Sequence, residues 1–89
     1  MVKIFYSSKF AREYRKLPLS AKKTAEKKEK IFRENPFDSK LKTHKLKGGL
    51  RDFWSFSIDR KYRIIFEFAT EEKVWFHSVG AHDIYGLWE

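Results

Sequence analysis

This 89-residue sequence contains no cysteine. Disulfides and thiolate metal sites are therefore excluded, and the composition fits a reducing compartment. Zinc-protease HExxH motifs, P-loops and GxGxxG loops are missing too, and no group of Asp and Glu has the spacing of metal ligands. The sequence therefore favours a function that needs no metal and no other cofactor.

Long apolar segments are also missing. None approaches the roughly 20 residues that a helix needs to cross a bilayer, and the apolar stretch in the opening MVKIFYSS is too short for a signal peptide. We therefore expect a cytoplasmic protein with no membrane partner. A chain of 89 residues predicts one domain, residues 1–89, and an aromatic content of 18% can supply its core.

Acidic residues are scarce in the first half of the chain. Residues 1–50 hold 15 Lys and Arg against 5 Asp and Glu, a balance of +10, whereas residues 51–89 hold 5 against 7, a balance of −2. A basic half of this kind suggests a polyanionic partner such as nucleic acid, although charge also keeps small proteins soluble.

The first half of the sequence predicts one strand and then a helix. Val2–Tyr6 is rich in β-branched and aromatic residues, which is typical of a strand. Ser7 and Ser8 can cap the helix that follows, and Pro18 ends it. The apolar face of this helix has three-to-four spacing and consists of Phe10, Ala11, Tyr14 and Leu17.

A second helix is predicted from Ala21 to Glu34, with Ser20 as its cap and Asn35 and Pro36 at its end. Its inward stripe is thin, and one member is a lysine that contributes its aliphatic stem. The stripe consists of Ala21, Ala25, Lys28, Ile31 and Phe32. Two helices joined by a short turn predict a helical hairpin.

The second half changes from a helical period to a period of two, which predicts three antiparallel strands. Tight turns are expected at residues 59–61 and 70–73. The helices are expected to cover the face of the middle strand that carries Tyr62, Ile64, Phe66 and Phe68. In the first strand Trp54, Phe56 and Ile58 alternate with serines, and in the last strand Val74, Phe76 and Ser78 alternate with Trp75, His77 and Val79. The predicted fold is α+β: an N-terminal strand, a helical hairpin and a three-stranded antiparallel meander, with the helices on one face of the sheet.

Three side chains outside the predicted core are candidates for chemistry. His44 stands in the basic segment THKLKGG, outside any predicted helix or strand, and His82 follows the last strand. Arg63 lies mid-strand on the face that the helices leave open, beside serines of the preceding strand. Each of the three is also compatible with an ordinary surface position when taken alone, and His77, within the last strand, is interpreted as a packed or half-exposed strand residue.

RNA is the substrate class that suits two imidazoles and an arginine without a metal. It carries its own nucleophile, the 2′-OH. Its cleavage needs a base for that proton, an acid for the departing 5′-oxygen and cations for the phosphate. Imidazole suits both transfers because its ordinary pKa is about 6.5, and Tyr85 is a candidate to hold the scissile group or stack on a base. The candidate substrate-binding residues are Lys42, Lys45, Lys47, Arg51, Trp54, Arg60 and Lys61.

Five short motifs run through the chain in order. They are F…Y..LP (10–18), NPF (35–37), HKLKG (44–48), FWSFSIDRKYRIIFEF (53–68) and VGAHDIYG (79–86). Together they resemble the RelE/ParE superfamily of bacterial and archaeal type II toxins, and most nearly its YoeB- and YafQ-like ribonuclease branch. The resemblance implies a ribosome-dependent endoribonuclease that cuts translated mRNA in the ribosomal A site. It also implies a cognate antitoxin that wraps and neutralises the toxin in a hetero-oligomer.

The resemblance also implies roles for individual residues. His44 falls at a position where related toxins place a Glu or His, and is a candidate general base. Arg63 falls at the arginine position of the strand motif, and is a candidate to stabilise the charge of the transition state. His82 falls at the histidine position of the last motif and is a candidate general acid. Tyr85 falls near the aromatic residue that ends this motif. The division of acid and base between the two histidines stays open, because the chain departs from the family pattern. The departures are Ser57, Lys61 and Ala81.

Two other functions stay open at this point. ParE-type members of the superfamily inhibit DNA gyrase without cutting RNA, and a basic domain of this size can bind RNA or a protein without turnover. The pair of His44 and His82 together with Arg63 favours the ribonuclease.

Overall fold

The first strand of the chain pairs with the last strand that the structure describes. In the computed structural model, which describes residues 1–81, β1 (Lys3–Tyr6) runs parallel to β5 (Lys73–Ala81). Lys3 lies opposite Lys73 in this pairing. A strand from the start of the chain is thus held at one edge of a sheet that otherwise forms from the second half.

Three further strands complete the sheet. They are β2 (His44–Lys45), β3 (Trp54–Ser57) and β4 (Tyr62–Phe68). The order is β1-β5-β4-β3-β2, and all pairs except β1 with β5 are antiparallel. The predicted α+β fold with its helical hairpin and meander is confirmed, but residues 1–81 form five paired strands. The loop expected around His44 is partly a short edge strand.

The helix α1 (Ser8–Arg15) begins where the sequence predicts. The Oγ of Ser7 accepts a hydrogen bond from the backbone N–H of Phe10 at 3.0 Å, which satisfies one of the donors that a helix leaves open at its first turn. Phe10 is the buried residue of this helix and anchors it on the sheet.

The helix α2 (Leu19–Glu34) begins earlier than predicted. Pro18 occupies its N-cap position with φ −58°, and the carbonyl of Pro18 accepts the first helical bond, from Lys22 at 3.0 Å. Proline suits a helix start because its fixed φ matches the helix. Ser20, expected to be the cap, therefore lies inside the helix. Neither helix of the described part of the chain is long and apolar enough to cross a membrane.

The main core lies between α2 and the sheet. Phe32 has no exposed surface, and its ring centroid lies 5.0 Å from that of Phe56, 4.9 Å from that of Phe66 and 5.2 Å from that of Phe76. These edge-to-face and offset contacts are the favourable arrangements of aromatic rings. The side chain of one helical residue thus ties together three neighbouring strands.

A β-bulge in β5 changes which of its side chains face the core. Between consecutive residues of β4 the partner changes from Phe76 to Ser78, so His77 is the extra residue of the bulge. Val79 consequently joins the core, and Ser78 does not. The predicted strict alternation, with Val74, Phe76 and Ser78 on one face and Trp75, His77 and Val79 on the other, is therefore wrong beyond the bulge.

Glu13 of α1 fills the space beside the bulged end of β5. Its Oε1 accepts hydrogen bonds from the Ser78 hydroxyl at 2.6 Å and from the Val79 N–H at 3.2 Å, and Lys9 donates to its Oε2 at 2.9 Å. Burial by itself raises the pKa of Glu13, but the bonds from Ser78, Lys9 and Val79 together outweigh it and hold the pKa below its usual 4.5. A charged carboxylate thus completes the strand edge that β1 is too short to cover.

Candidate functional site

The face of the sheet opposite the helices, called here the outer face, carries the two predicted catalytic residues that lie within residues 1–81. His44 lies opposite Ser55, and Arg63 lies opposite Ser57. Because Ser55 and Ser57 are two residues apart on one strand, all four side chains lie on the same face. The centre of this face is not open as predicted, since Ser55 and Ile65 have no exposed surface.

Arg63 is held by the turn that precedes its strand. Its Nη1 donates to the carbonyl of Asp59 at 2.5 Å and to the carbonyl of Tyr62 at 3.0 Å. A guanidinium has five N–H donors in one plane. Two carbonyls fix one nitrogen of the fork, and no bond from its other nitrogens to residues 1–81 is formed, so they remain able to donate to an anion.

A basic pocket of about 280 Å³ lies at the end of the sheet where β3 turns into β4. It is lined by Lys28, Lys40, Lys42, Ser57, Ile58, Asp59, Arg60 and Arg63. Five of these eight residues are cations and one is an acid. A concave surface with this excess of positive charge is suited to a phosphate group.

The single acid in the pocket is occupied by the turn itself. The Oδ1 of Asp59 accepts the backbone N–H of Lys61 at 2.8 Å and that of Tyr62 at 2.7 Å, which is the usual behaviour of Asp in a tight turn. Its role is therefore to shape the turn that carries Arg60 and orients Arg63.

Lys42 connects the basic pocket with His44. Lys42 lines the pocket, and its carbonyl lies 3.2 Å from Nδ1 of His44. Since a carbonyl can only accept, a hydrogen bond here requires the proton on Nδ1, and the neutral ring then keeps a lone pair on Nε2. Lys42 has φ 54°, the left-handed region, and is the only non-glycine residue with positive φ among residues 1–81.

The geometry leaves space between His44 and Arg63. They are two strands and two residues apart, which corresponds to about 12 Å between their Cα atoms. A group bound on the outer face can therefore be approached by the imidazole from the edge strand and by the guanidinium from the centre of the sheet.

The remaining predicted binding residues spread around this edge. Trp54 lies on the helix-side face, partly buried against the core, with the Nζ of Lys45 6.0 Å from its ring centroid. Lys61 lies in the β3–β4 turn, with its Nζ 5.3 Å from the ring of Tyr62. Lys47 and Arg51 flank a 3-10 turn (Gly48–Leu50) and are exposed. Gly48 has φ +66°, so the turn uses the freedom of a glycine.

Two of the predicted catalytic residues, His82 and Tyr85, lie outside the described residues. His77, interpreted from the sequence as a packed or half-exposed strand residue, is half-buried in β5, with its Nε2 3.0 Å from Oε1 of Glu67 and its ring edge-on to Phe53. Within residues 1–81, no three His, Asp or Glu side chains are grouped closely enough to hold a metal ion.

Sequence reasoning missed two of the five cations of the basic pocket, Lys28 and Lys40. The Nζ of Lys28 donates to the carbonyl of Lys40 at 2.8 Å, which ties α2 to the 3-10 turn Ser39–Leu41. A signal for Lys28 was present, because it follows Ala25 at helical spacing on the inward stripe. Lys40 follows the proline that ends the helix and has no periodicity to place it.

No family model and no curated protein matches the chain. Solved structures do match it over nearly its whole length. YafQ from E. coli strain BL21(DE3) is 16% identical, with a TM-score of 0.72 and coverage of 96% of this chain and 98% of that one. The YoeB/ParE toxin from Agrobacterium tumefaciens is 15% identical, with a TM-score of 0.76 and coverage of 91% and 99%.

A third similar structure is a heterotetrameric YoeB–YefM toxin–antitoxin complex from Staphylococcus aureus. The matching chain of this complex is 19% identical to the present one, with a TM-score of 0.73 and coverage of 92% of this chain and 98% of that one. At such identities the likeness establishes the fold. The chain therefore has the RelE-like fold of the YafQ and YoeB toxins, as the motifs indicate.

Proposed function

We propose that this protein is a type II toxin of the RelE/ParE superfamily, in its YoeB/YafQ-like branch, and that it is an endoribonuclease cutting mRNA on the ribosome without a metal. The observation that carries the proposal is the pairing on one sheet face of a histidine suited to proton transfer with an arginine in a five-cation pocket. The fold of the toxins supports it independently.

The proposed reaction begins with the 2′-OH of the substrate. The Nε2 of His44 removes its proton, and the 2′-oxygen attacks the adjacent phosphorus. Arg63 donates to the non-bridging oxygens as their charge grows, and Lys42 and Arg60 add positive charge in the same pocket. The bond from phosphorus to the 5′-oxygen then breaks. The products are a 2′,3′-cyclic phosphate and a 5′-hydroxyl.

The acid that protonates the leaving 5′-oxygen is assigned from the motif to His82, with Tyr85 holding the scissile group. His44 is assigned as the base because its Nδ1 faces a carbonyl that fixes the proton there and leaves Nε2 as the acceptor. Lys45, Lys47, Arg51 and Lys61 line the exposed edge along which the RNA backbone continues.

A cognate antitoxin is the proposed protein partner. The Staphylococcus aureus relative is a toxin–antitoxin assembly, and residues 1–50 of this chain carry an excess of ten positive charges. An acidic, partly disordered segment that folds on binding suits such a surface. Its affinity should fall as salt rises, since part of the attraction is screened charge.

Induced expression in bacteria with mapping of mRNA ends tests the activity. We expect arrested translation and new 5′ ends spaced by codons, with products that end in cyclic or 3′-phosphate and formation that survives EDTA wherever the ribosome stays intact. Intact mRNA with accumulated gyrase–DNA breaks would establish the ParE-like alternative instead. Products with 3′-OH ends would rule out attack by the 2′-OH.

Single-turnover cleavage on programmed ribosomes tests the assignment of the two histidines. His44→Ala and His82→Ala should each lose about 10²–10⁴-fold in rate, the usual contribution of a proton-transfer group. His77→Ala is the matched control and should cleave at the parental rate. If both His44→Ala and His82→Ala cleave within about threefold of the parent, the proposed proton transfers are wrong.

A further inference from the structure

Ser57, the last residue of β3, lies in the gap between His44 and Arg63 and is not used by the proposed reaction. It is directly opposite Arg63 on β4. Strand spacing places its Cα atom about 5 Å from that of Arg63 and about 8 Å from that of His44. The other outer-face side chains in this gap, Ser55 and Ile65, are fully buried, whereas Ser57 is only half-buried. A group bound in the gap can therefore reach the side chain of Ser57.

The basic pocket lies beside the end of β3 that carries Ser57. Ser57 and Arg63 both line this pocket. The edge strand β2 pairs only with Trp54 and Ser55, so within residues 1–81 no strand covers β3 at Ser57. An anion that enters the pocket therefore meets the end of β3 from its uncovered side.

The hydroxyl of Ser57 makes no hydrogen bond to any group of residues 1–81. Other serines near the sheet behave differently, since Ser7 donates to the carbonyl of His77 at 2.9 Å and Ser78 donates to Glu13 at 2.6 Å. Polar groups that are taken out of water usually find a partner in the protein or in ordered water. The hydroxyl of Ser57 is thus available to a ligand of the basic pocket.

This hydroxyl differs from the cations of the pocket in how it is positioned. The Nζ of Lys28 already donates to the carbonyl of Lys40, and one nitrogen of Arg63 is held by two carbonyls. The side chain of a serine has a single rotatable bond to its hydroxyl, so the strand itself fixes where this donor lies. Donors that need no reorganisation are the ones that best stabilise charge developing in a transition state.

We infer that Ser57 is a further catalytic residue, whose hydroxyl donates a hydrogen bond to one non-bridging oxygen of the scissile phosphate while Arg63 donates to the other. The inference rests on the proposed function and adds one contact to it. Negative charge grows on both non-bridging oxygens as the 2′-oxygen attacks the phosphorus, and each oxygen then has a donor on a neighbouring strand. The hydroxyl of Ser57 keeps its own proton throughout, so the two proton transfers remain those of His44 and His82.

Single-turnover cleavage on programmed ribosomes tests the inference. Ser57→Ala should lose about 10²-fold in rate, as is usual when one donor to a developing oxyanion is removed. Ser57→Thr keeps the hydroxyl in a residue suited to a strand and should stay within about threefold of the parent. Ser39→Ala is the matched control, because Ser39 is an exposed serine of the adjacent 3-10 turn and does not line the pocket. It should cleave at the parental rate.

Substrates with sulfur in place of one non-bridging oxygen separate a direct contact from a general loss of structure. Sulfur is a weak hydrogen-bond acceptor, so the parent should cleave each of the two diastereomers more slowly than the oxygen substrate. Ser57→Ala should lose this penalty for the diastereomer whose sulfur faces β3 and keep it for the other. Arg63→Ala should show the reverse preference.

Three results would each overturn the inference: a parental rate in Ser57→Ala, a loss that Ser57→Thr does not recover, or sulfur penalties in Ser57→Ala that equal those of the parent for both diastereomers. The melting temperature of each variant shows that it is folded. If His44→Ala and Arg63→Ala are slow while Ser57→Ala is not, the proposed function stands without this contact. Absence of cleavage by the parent would refute the proposed function, and the inference with it.

Discussion

The same strands build the helix-side face and the outer face of the sheet, but the first face packs the core and the second carries the candidate functional residues. On β4, Ile64 and Phe66 point toward the helices and are buried, whereas Arg63 and Glu67 point outward and are partly exposed. The helix-side face is an aromatic cluster whose members touch one another across three strands. The outer face carries His44 and Arg63, whose side chains contact backbone carbonyls. Changes on the first should therefore alter stability, and changes on the second should alter activity.

The largest effect expected from this comparison is the loss of stability in Phe32→Ala. Removing a fully buried aromatic side chain typically costs about 3–5 kcal/mol, against a total of roughly 5–15 kcal/mol for a domain. Equilibrium unfolding in urea measures the change. Leu19→Ala, at a residue that is 69% exposed, is the control and should shift the unfolding free energy by less than about 0.5 kcal/mol. Similar losses in both variants would contradict the placement of the core.

Arg63→Ala is expected to reduce activity and to leave stability nearly unchanged, the opposite of Phe32→Ala. Cleavage should fall about 10²–10³-fold, as for other donors that stabilise developing charge, while the free energy of unfolding changes by less than about 1.5 kcal/mol. Arg63→Lys should recover only part of the rate, because an ammonium cannot reproduce the planar fork. The control is Arg60→Ala in the same pocket, which should weaken binding more than the chemical step. A parental rate in Arg63→Ala would remove this residue from the site.

Glu13 lies where α1 meets the end of β5, and its contribution to the stability of this contact should depend on pH. Its pKa is lowered in the folded protein, so its contribution to stability is present above pH 4.5 and is lost as pH falls through the folded-state pKa. Glu13→Gln should cost about 1 kcal/mol at pH 7, and the difference from the parent should shrink on acidification below pH 4.5. Thermal melts between pH 3 and pH 7 measure this. Glu26→Gln, at an exposed position on α2, is the control, and a gap that widens in acid would refute the interpretation.

The smallest expected effect is a gain in stability. Lys42 adopts the left-handed region with φ 54°, which is unfavourable for a residue with a Cβ, so Lys42→Gly should stabilise the protein by about 0.5–1 kcal/mol. The same change should weaken RNA binding by removing a cation from the basic pocket. Lys40→Gly, inside the 3-10 turn, should destabilise instead. If Lys42→Gly melts below the parent, the left-handed conformation is not a source of strain.

The sequence was sufficient for the elements whose pattern is periodic. The inward residues of β3 and β4 and the cap Ser7 could be predicted, because alternation and capping are local properties. The parallel pairing of β1 with β5 could not, since it joins residues some seventy positions apart. The start of α2 was misplaced because a proline competes successfully with a serine for the cap position.

The parts of the site that depend on local sequence pattern could be predicted, and the parts that depend on tertiary packing could not. Arg63 followed from alternation within one strand. The basic pocket needs Lys28 from a helix and Lys40 from a turn to meet the β3–β4 connection, and only tertiary packing brings them together. The bulge at His77 also has no local signature, which is why Ser78 and Val79 were exchanged between the two faces.

The parallel pairing of β1 with β5 also determines how late in translation the sheet can form. Because a ribosome makes the chain from its N-terminus, Ile4 and Phe5 have no strand to join until Val74 and Trp75 have emerged. At roughly 5–20 residues per second, the intervening seventy residues take about 4–14 s. Contacts this distant in sequence also close slowly once the chain is free. The nascent chain therefore pairs β1 with β5 only after β5 (Lys73–Ala81) has been translated, and any activity that requires the whole of this sheet begins no earlier.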